Sequence, residues 1–142
     1  MAATVQTLSP AAMDAIANEH FAAEGRADIP AILATYTGDV EFDVTGNPVG
    51  CTRERDAIAG FYSAMFAELA NMDIRQLRRY YGAGHLVDES LITCQAAGRP
   101  FGLEGKGLTI QFRLLHVFEF ADNRISRESG WVDLPAIIQQ LS

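Results

Sequence analysis

The amino-acid sequence predicts an α+β fold in which helices cover one face of an antiparallel sheet. Up to Asn71, apolar residues recur mainly at helical spacing, with one short alternating segment between them. From residue 72 onward, apolar and polar residues alternate over four long segments separated by turns. Helices followed by an antiparallel meander are typical of the α+β class. Because long strands twist, we expect the sheet to curl into a cone with an open end, which makes a small-molecule pocket.

Three helices are predicted before the sheet, all packed on its concave face. The first begins at Ser9-Pro10, where a serine cap precedes a proline, and ends at Gly25. The second opens at Asp28-Ile29-Pro30, and Thr52 caps the third. Their buried faces follow from the spacing of mostly apolar residues: Met13, Ile16, Ala17, His20 and Phe21, then Ile32, Leu33 and Tyr36, then Ile58, Phe61, Tyr62, Met65, Phe66 and Leu69.

The strands are predicted from period-two alternation. A short half-buried strand occupies residues 40–45. Four longer strands follow, with a short terminal helix opened by Asp133 as its N-cap. The whole chain, residues 1–142, is predicted to be one domain with a flexible tail at residues 1–8. The four long strands are expected at residues 72–82, 85–97, 107–121 and 124–132.

The composition limits which classes of partner the protein is expected to bind and indicates its cellular compartment. The chain has 142 residues and a formal net charge of −7, so we expect it to bind neither nucleic acid nor an anionic membrane surface. Its two cysteines, Cys51 and Cys94, suit free thiols in a reducing compartment. The N-terminal residues lack the features of a signal peptide, and no apolar segment approaches the ~20 residues of a membrane span. We therefore expect a cytoplasmic protein.

His116 interrupts an otherwise apolar strand face. A histidine there is either an acid, base or hydrogen-bond donor on the pocket wall, or a core residue satisfied by a backbone carbonyl. We favour the pocket. The other residues in this face are Leu108, Ile110, Phe112, Leu114, Phe118 and Phe120.

Glu128 on the next strand has two possible orientations. If Glu128 and Gly130 point inward, Glu128 faces His116, and an apolar pocket would raise its pKa toward the range of a general base. If Ile125 and Trp131 point inward instead, Glu128 lies on the surface. The alternation does not decide between these registers.

The hairpin from Leu114 to Asp133 and the order of elements resemble the SnoaL-like polyketide cyclase and ester cyclase family, which has a nuclear-transport-factor-two-like fold. The resemblance covers the chain from about Ser9 in layout and the last third in motif. It implies an intramolecular aldol cyclase with no metal or cofactor, in which a histidine holds or polarises the substrate and an aspartate is the acid/base. The histidine corresponds to His116, while Gly130 stands where the family has its aspartate, and Glu128 where it has another histidine. The matching positions are His116, Phe118, Asp122, Asn123, Ile125, Trp131 and Asp133.

Other carboxylates are further candidates. In related isomerases and epoxide-opening enzymes, a carboxylate near the first strand transfers protons, which draws attention to Glu41 and Asp43. Glu68, late in the third helix, is another candidate at the cavity rim. Aromatic and apolar side chains expected to contact a substrate are Tyr36, Tyr62, Phe66, Phe112, Phe118 and Trp131.

The first functional hypothesis is an enzyme without a cofactor that moves a proton next to the carbonyl of a mostly apolar, polyketide-like molecule, giving aldol cyclisation or isomerisation. The second is epoxide opening by paired carboxylates, and the third is a ligand-binding or dimerisation module without chemistry. The three histidines lie on separate elements, so we expect no metal. We expect a homodimer formed through the convex sheet face, which should carry Arg75, Leu77, Arg79, Leu91, Thr93, Leu115 and Val117.

Overall fold

The computed structural model describes residues 7–47 and 50–142 and confirms the α+β class. Most of the tail predicted for residues 1–8 lies outside the described residues. The helices are α1 (Pro10–Gly25), α2 (Ile29–Ala34), α3 (Arg55–Glu68) and α4 (Leu134–Leu141), with a short 3₁₀ turn at Pro100–Gly102. The strands are β1 (Tyr36–Val44), β2 (Leu69–Gly82), β3 (His85–Ala96), β4 (Thr109–Ala121) and β5 (Arg124–Val132).

The helix starts show the predicted capping in three cases out of four. Ser9, Asp28 and Asp133 each accept a hydrogen bond from the backbone N–H three residues later, at 3.1, 3.1 and 3.4 Å. The cap predicted at Thr52 is wrong, because α3 begins at Arg55 and the Thr52 hydroxyl instead accepts from a backbone N–H two residues on. Capping therefore fixes where α1, α2 and α4 begin.

The five strands form one sheet in the order β1-β5-β4-β3-β2. The four later strands are antiparallel neighbours, as predicted, while β1 runs parallel to β5 and makes the sheet mixed. Tyr36, predicted at the end of the second helix, begins β1 instead, in keeping with the preference of tyrosine for strands. The pairing of β1 with β5 places the start of the sheet beside the hairpin that contains His116.

Bulges in two strands change which side chains face the helices. In β5, Glu119 pairs with Arg127 and Phe120 with Ile125, so Ser126 is an extra residue and both Ile125 and Glu128 face inward. The sequence had presented these two inward orientations as alternatives.

In β2, Gln76 pairs with Ser90 and Arg78 with Glu89, so Leu77 is the extra residue. Arg79 is thereby turned inward beside its neighbours on β3, and only 3% of its side chain is exposed. The prediction that Arg79 lies on the convex outer face is wrong for this reason.

The core contains two apolar clusters on the concave side of the sheet. The larger cluster lies between helices α1 to α3 and the sheet, and the smaller one lies under α4. None of the helices in the described residues is both long and apolar enough to cross a membrane. The larger cluster includes Met13, Phe21, Ile32, Tyr36, Phe42, Tyr62 and Phe118, and the smaller one Leu69, Ile92, Cys94, Ile110, Phe112, Ile137 and Leu141.

Candidate functional site

A polar network is buried inside the larger apolar cluster. His20 and Glu24 come from successive turns of α1, Tyr36 from β1, Tyr62 from α3 and Glu128 from β5. None of the five is more than 4% exposed. Polar groups removed from water in this way must satisfy one another, so their mutual geometry determines the charge of the site.

The five side chains contact one another directly. The His20 Nε2 atom lies 3.1 Å from Glu24 Oε1 and 3.0 Å from Glu128 Oε1. The Tyr36 hydroxyl donates to Glu128 Oε1 at 3.0 Å, and the two tyrosine hydroxyls are 2.9 Å apart. The Tyr62 hydroxyl lies 2.9 Å from Glu24 Oε1 and 3.2 Å from Glu128 Oε2. The two carboxylates therefore share three protons, one on His20 Nε2 and one on each tyrosine hydroxyl.

Thr35 fixes the hydrogen-bonding state of His20. The Thr35 hydroxyl donates to the carbonyl oxygen of Ile32 at 2.6 Å, so it must accept from the His20 Nδ1–H, 2.9 Å away. The opposite ring nitrogen, Nε2, faces two carboxylate oxygens. It therefore carries a proton in the metal-free protein, which makes His20 an imidazolium.

The charges in the network shift its pKa values in opposite directions. Burial alone would lower the pKa of His20, but the charge of Glu128 and the hydrogen bonds to both carboxylates raise it to about 10. Burial alone would raise the pKa of Glu128, but the charge and hydrogen bond of His20, the charge of His116 and the Tyr36 hydrogen bond lower it. Burial, followed by the charge of Glu128, raises the pKa of both tyrosines well above 10, so they act as neutral donors.

His116 lies beside this network on β4. Its ring stacks on Phe118 with 8° between the planes and lies 5.4 Å from the ring of Phe21. Its Nε2 atom is 4.0 Å from Glu128 Oε2. A Cβ placed on Gly130 would lie 3.5–3.6 Å from His116 Cδ2 and Nε2, so that edge of the ring faces β5. The Nδ1 atom on the other edge is buried and has no hydrogen-bond partner among the described residues.

Two clefts reach the surface near the site. The larger, about 410 Å³, lies between α1 and strands β2 and β3, and its lining includes Phe21, Arg79 and Ser90. The ring of Phe21 also lies 5.4 Å from that of His116, so the larger cleft ends close to the histidine. The smaller cleft, about 240 Å³, lies next to the larger one and includes Glu24 and Phe66 in its lining.

Arg79 is held at the floor of the larger cleft. Its Nε atom donates to Asp88 at 2.8 Å and its Nη1 atom to Asp14 at 2.8 Å. Burial alone would lower the pKa of Arg79, but its hydrogen bonds to Asp88 and Asp14 raise it. Asp88 pairs across the strands with His116, which places this ion pair next to the histidine on the same face of the sheet.

The sequence matches the SnoaL-like domain model over residues 17–128, which is most of the chain. The chain belongs to the SnoaL-like domain family. No curated protein matches it in sequence.

Solved structures show the same fold for this SnoaL-like domain. A protein of Xanthomonas campestris pv. campestris described as a polyketide cyclase is 21% identical, with a TM-score of 0.82, covering 93% of this chain and 98% of that one. An NTF2-like protein of Burkholderia thailandensis is 17% identical, with a TM-score of 0.71 and coverage of 90% and 95%. An LEH-like epoxide hydrolase of M. tuberculosis is 16% identical, with a TM-score of 0.71 and coverage of 92% and 90%. The predicted family and fold are therefore confirmed.

The SnoaL-like domain brings His116 and Glu128 together, as the inward register predicted. Glu41 and Asp43 lie elsewhere, at the edge of the sheet, where Arg127 donates to them at 2.5 and 2.8 Å. The Arg127 and Arg53 hydrogen bonds lower the pKa of Glu41. Both carboxylates thus serve ion pairs on the face of β1 opposite the buried network.

The remaining predicted site residues divide between the network and other regions. Glu68 ends α3 beside the loop at Gly98, away from the other acids. Phe112 is buried in the smaller apolar cluster. Trp131 is 44% exposed and pairs with Leu115 on the convex face, so it does not contact the interior. Those that do lie at the site are Tyr36 and Tyr62 in the network, Phe66 stacked on Tyr62, and Phe118 stacked on His116.

Sequence reasoning missed His20, Glu24 and Asp88 as site residues. A signal was present for the first two, because His20 falls in the apolar stripe of α1 and Glu24 follows one helical turn later. One ligand atom each from His20, Glu24 and Glu128 lies within 4.8 Å of the others, a cluster that the sequence analysis did not anticipate when it predicted no metal. Glu128 is too distant in sequence from His20 and Glu24 for residue spacing to reveal that it lies beside them.

Proposed function

We propose that this SnoaL-like domain is an enzyme that moves a proton at the carbon next to the carbonyl of a small, mostly apolar molecule, without an organic cofactor. Aldol cyclisation and isomerisation both begin with this step. The proposal depends mainly on one observation. The buried Nδ1 atom of His116 has no partner within residues 7–47 and 50–142, while the opposite edge of the ring faces a carboxylate.

His116, rather than Glu128, is the proposed base. The pKa of Glu128 is lowered rather than raised, because the charge and hydrogen bond of His20 outweigh the effect of burial. A carboxylate in that state accepts a proton poorly but stabilises a neighbouring cation well. The base role predicted for Glu128 therefore passes to His116, and Glu128 holds and stabilises the ring.

The larger cleft is the proposed substrate site. Its volume of about 410 Å³ suits a small ligand, and its lining mixes apolar side chains with Arg79 and Ser90. Rotation of the Phe21 side chain would bring a ligand in this cleft to His116 Nδ1. His116 would then take the α-proton of the substrate, and the guanidinium of Arg79 has N–H donors to stabilise the resulting enolate oxygen.

Proton exchange with solvent tests this proposal without knowledge of the natural substrate. Small cyclic ketones and β-diketones are incubated with the protein in D₂O, and loss of the α-proton signal is followed by NMR. We expect wild-type protein to accelerate exchange and His116→Asn to lose about 100-fold or more of that acceleration while remaining folded. His85→Asn is the matched control, because His85 is an exposed histidine on the adjacent strand.

Equal exchange rates for the wild-type and His116→Asn proteins would exclude His116 as the base. Ligand binding without exchange would instead support the third sequence hypothesis, a binding module. That hypothesis is favoured by one observation, that Gly130 stands where the related cyclases have their acidic residue. Epoxide opening by Glu41, Asp43 and Glu68 has less support, because none of these carboxylates lines either of the two clefts described above.

Assembly as a homodimer through the convex face remains part of the proposal. Leu77, Tyr80, Leu115 and Trp131 are each 37–55% exposed, which leaves large apolar groups on the strands β2, β4 and β5. A second copy of the chain would cover them. The proposed location is the cytoplasm, and the proposed partner is a small hydrophobic molecule.

A further inference from the structure

One imidazole and two carboxylates point at a common position in the buried network. The atoms concerned are His20 Nε2, Glu24 Oε1 and a carboxylate oxygen of Glu128. Nitrogen and oxygen donors of these types bind first-row divalent transition metals. Two ligands lie on successive turns of α1 and the third on β5, so helix and sheet together hold the three donors in place.

The spacing of these donor atoms suits a metal ion. His20 Nε2 is 3.1 Å from the oxygen of Glu24 and 3.0 Å from that of Glu128. Adjacent ligands in a coordination sphere with bonds of about 2.1 Å are separated by about 3.0 Å when they subtend a right angle. Two of the three donor separations thus match those of a metal site, and all three lie within 4.8 Å.

The groups behind the ligands orient them for coordination. Thr35 accepts the Nδ1–H of His20 at 2.9 Å, which leaves Nε2 as the nitrogen directed at the carboxylates. Tyr36 and Tyr62 hold the Glu128 oxygens at 3.0 and 3.2 Å. Hydrogen bonds to ligand side chains fix the orientation of rings and carboxylates in metal sites.

Charge balance also favours a divalent cation. As metal ligands, a neutral imidazole and two carboxylates have a formal charge of −2, and all three residues are buried. A divalent cation would balance that charge. Glu24 lines the smaller cleft, which gives an ion a route to the site.

We propose that His20, Glu24 and Glu128 form a binding site for one divalent transition-metal ion per chain, of the class of Zn²⁺, Co²⁺ and Mn²⁺. The proposal does not depend on the proposed function, because it concerns the network behind His116 rather than the reaction. It replaces the sequence-based expectation of no metal, which considered only the spacing of histidine, cysteine and carboxylate residues along the chain.

Metal binding is tested with the full chain after treatment with chelator. Zn²⁺ is titrated calorimetrically into wild-type, Glu24→Gln and Glu19→Gln proteins, and the visible spectrum is recorded with Co²⁺. Glu19 is the matched control, since it lies on α1 but is exposed. We expect the wild-type and Glu19→Gln proteins to bind one ion per chain. Glu24→Gln should lose more metal affinity than the roughly 10–100-fold that removal of an outer-shell partner costs.

A second measurement uses the wild-type protein alone and does not depend on the folding of a variant. Paramagnetic Mn²⁺ should broaden the amide NMR signals nearest to His20, Glu24 and Glu128, and leave those of α4 unchanged. Broadening confined to exposed acidic positions would overturn the proposal, as would equal Zn²⁺ affinity in the wild-type and Glu24→Gln proteins. Failure here leaves the proton-exchange assay of His116 unaffected, so the two proposals are tested separately.

Discussion

Raising the pH from 7 to 9 should destabilise the metal-free protein, because the folded state holds a proton on His20 that the unfolded state releases. The pKa of His20 is about 10 in the folded protein, against an ordinary value of 6.5. The folded pKa is the higher of the two. The stabilisation is therefore complete below about pH 6.5 and is lost as the pH rises through about 10.

The size of the effect follows from that difference. Between these two pKa values, one proton taken up on folding changes the free energy of unfolding by about 1.4 kcal/mol per pH unit. Integration from pH 7 to pH 9 gives a loss of about 2.5 kcal/mol. Small domains have unfolding free energies of about 5–15 kcal/mol, so this loss is readily measured.

Urea denaturation followed by circular dichroism, at a series of pH values with chelator present, gives the required curves. The control is a variant in which His20, Glu24 and Glu128 are all glutamine, since it keeps similar side-chain shapes and has no titrating group at these positions. Cys94, whose pKa burial raises to about 11, is present in both proteins, so its contribution cancels. Parallel stability curves for the two proteins would show that His20 is not protonated in the folded state.

Further predictions concern the larger cleft, the strand β5 and the convex face. Asp88→Asn should lower the free energy of unfolding by about 1.5–3 kcal/mol, because it removes one of the two carboxylates that pair with Arg79 and leaves only Asp14. Urea denaturation beside Glu89→Gln, a less buried neighbour, measures the difference. Gly130→Ala should change the free energy of unfolding by no more than about 1 kcal/mol, because the added Cβ would lie 3.5–3.7 Å from its neighbours, which are ordinary contact distances. A larger loss would contradict the geometry described for β5. Light scattering should give twice the mass of one chain for the wild type and the mass of one chain for Leu115→Glu, whereas a monomeric wild type would refute the dimer.

The fold was predicted well from the sequence because helix caps and strand alternation are local features. Three of the four helix caps and the alternation of the long strands lie within a few residues of the elements they define. The turn at Asp122-Asn123 was also predicted, and both residues adopt the left-handed backbone conformation that such hairpin turns require, with φ of 51° and 56°. The parallel pairing of β1 with β5 was not predicted, because it joins segments separated by most of the chain.

The site was harder to predict because bulges alter the pattern of alternation. Ser126 in β5 and Leu77 in β2 each insert one residue, and every side chain beyond them changes face relative to a regular strand. The orientation of Glu128 therefore remained open in the sequence, and that of Arg79 was predicted incorrectly. His116 was identified because its own strand, β4, alternates regularly from Ile110 to Phe120.

The buried network also has a consequence for the kinetics of unfolding. It joins residues 20, 36, 62 and 128, so it requires α1, β1, α3 and β5 to be in place at the same time. Contacts between such distant segments form late in folding, after the entropy of closing the intervening loops has been lost. Interactions absent from the transition state slow unfolding without speeding folding. Tyr36→Phe and Tyr62→Phe should therefore leave the refolding rate almost unchanged and increase the unfolding rate, so that the network sets how long each molecule stays folded.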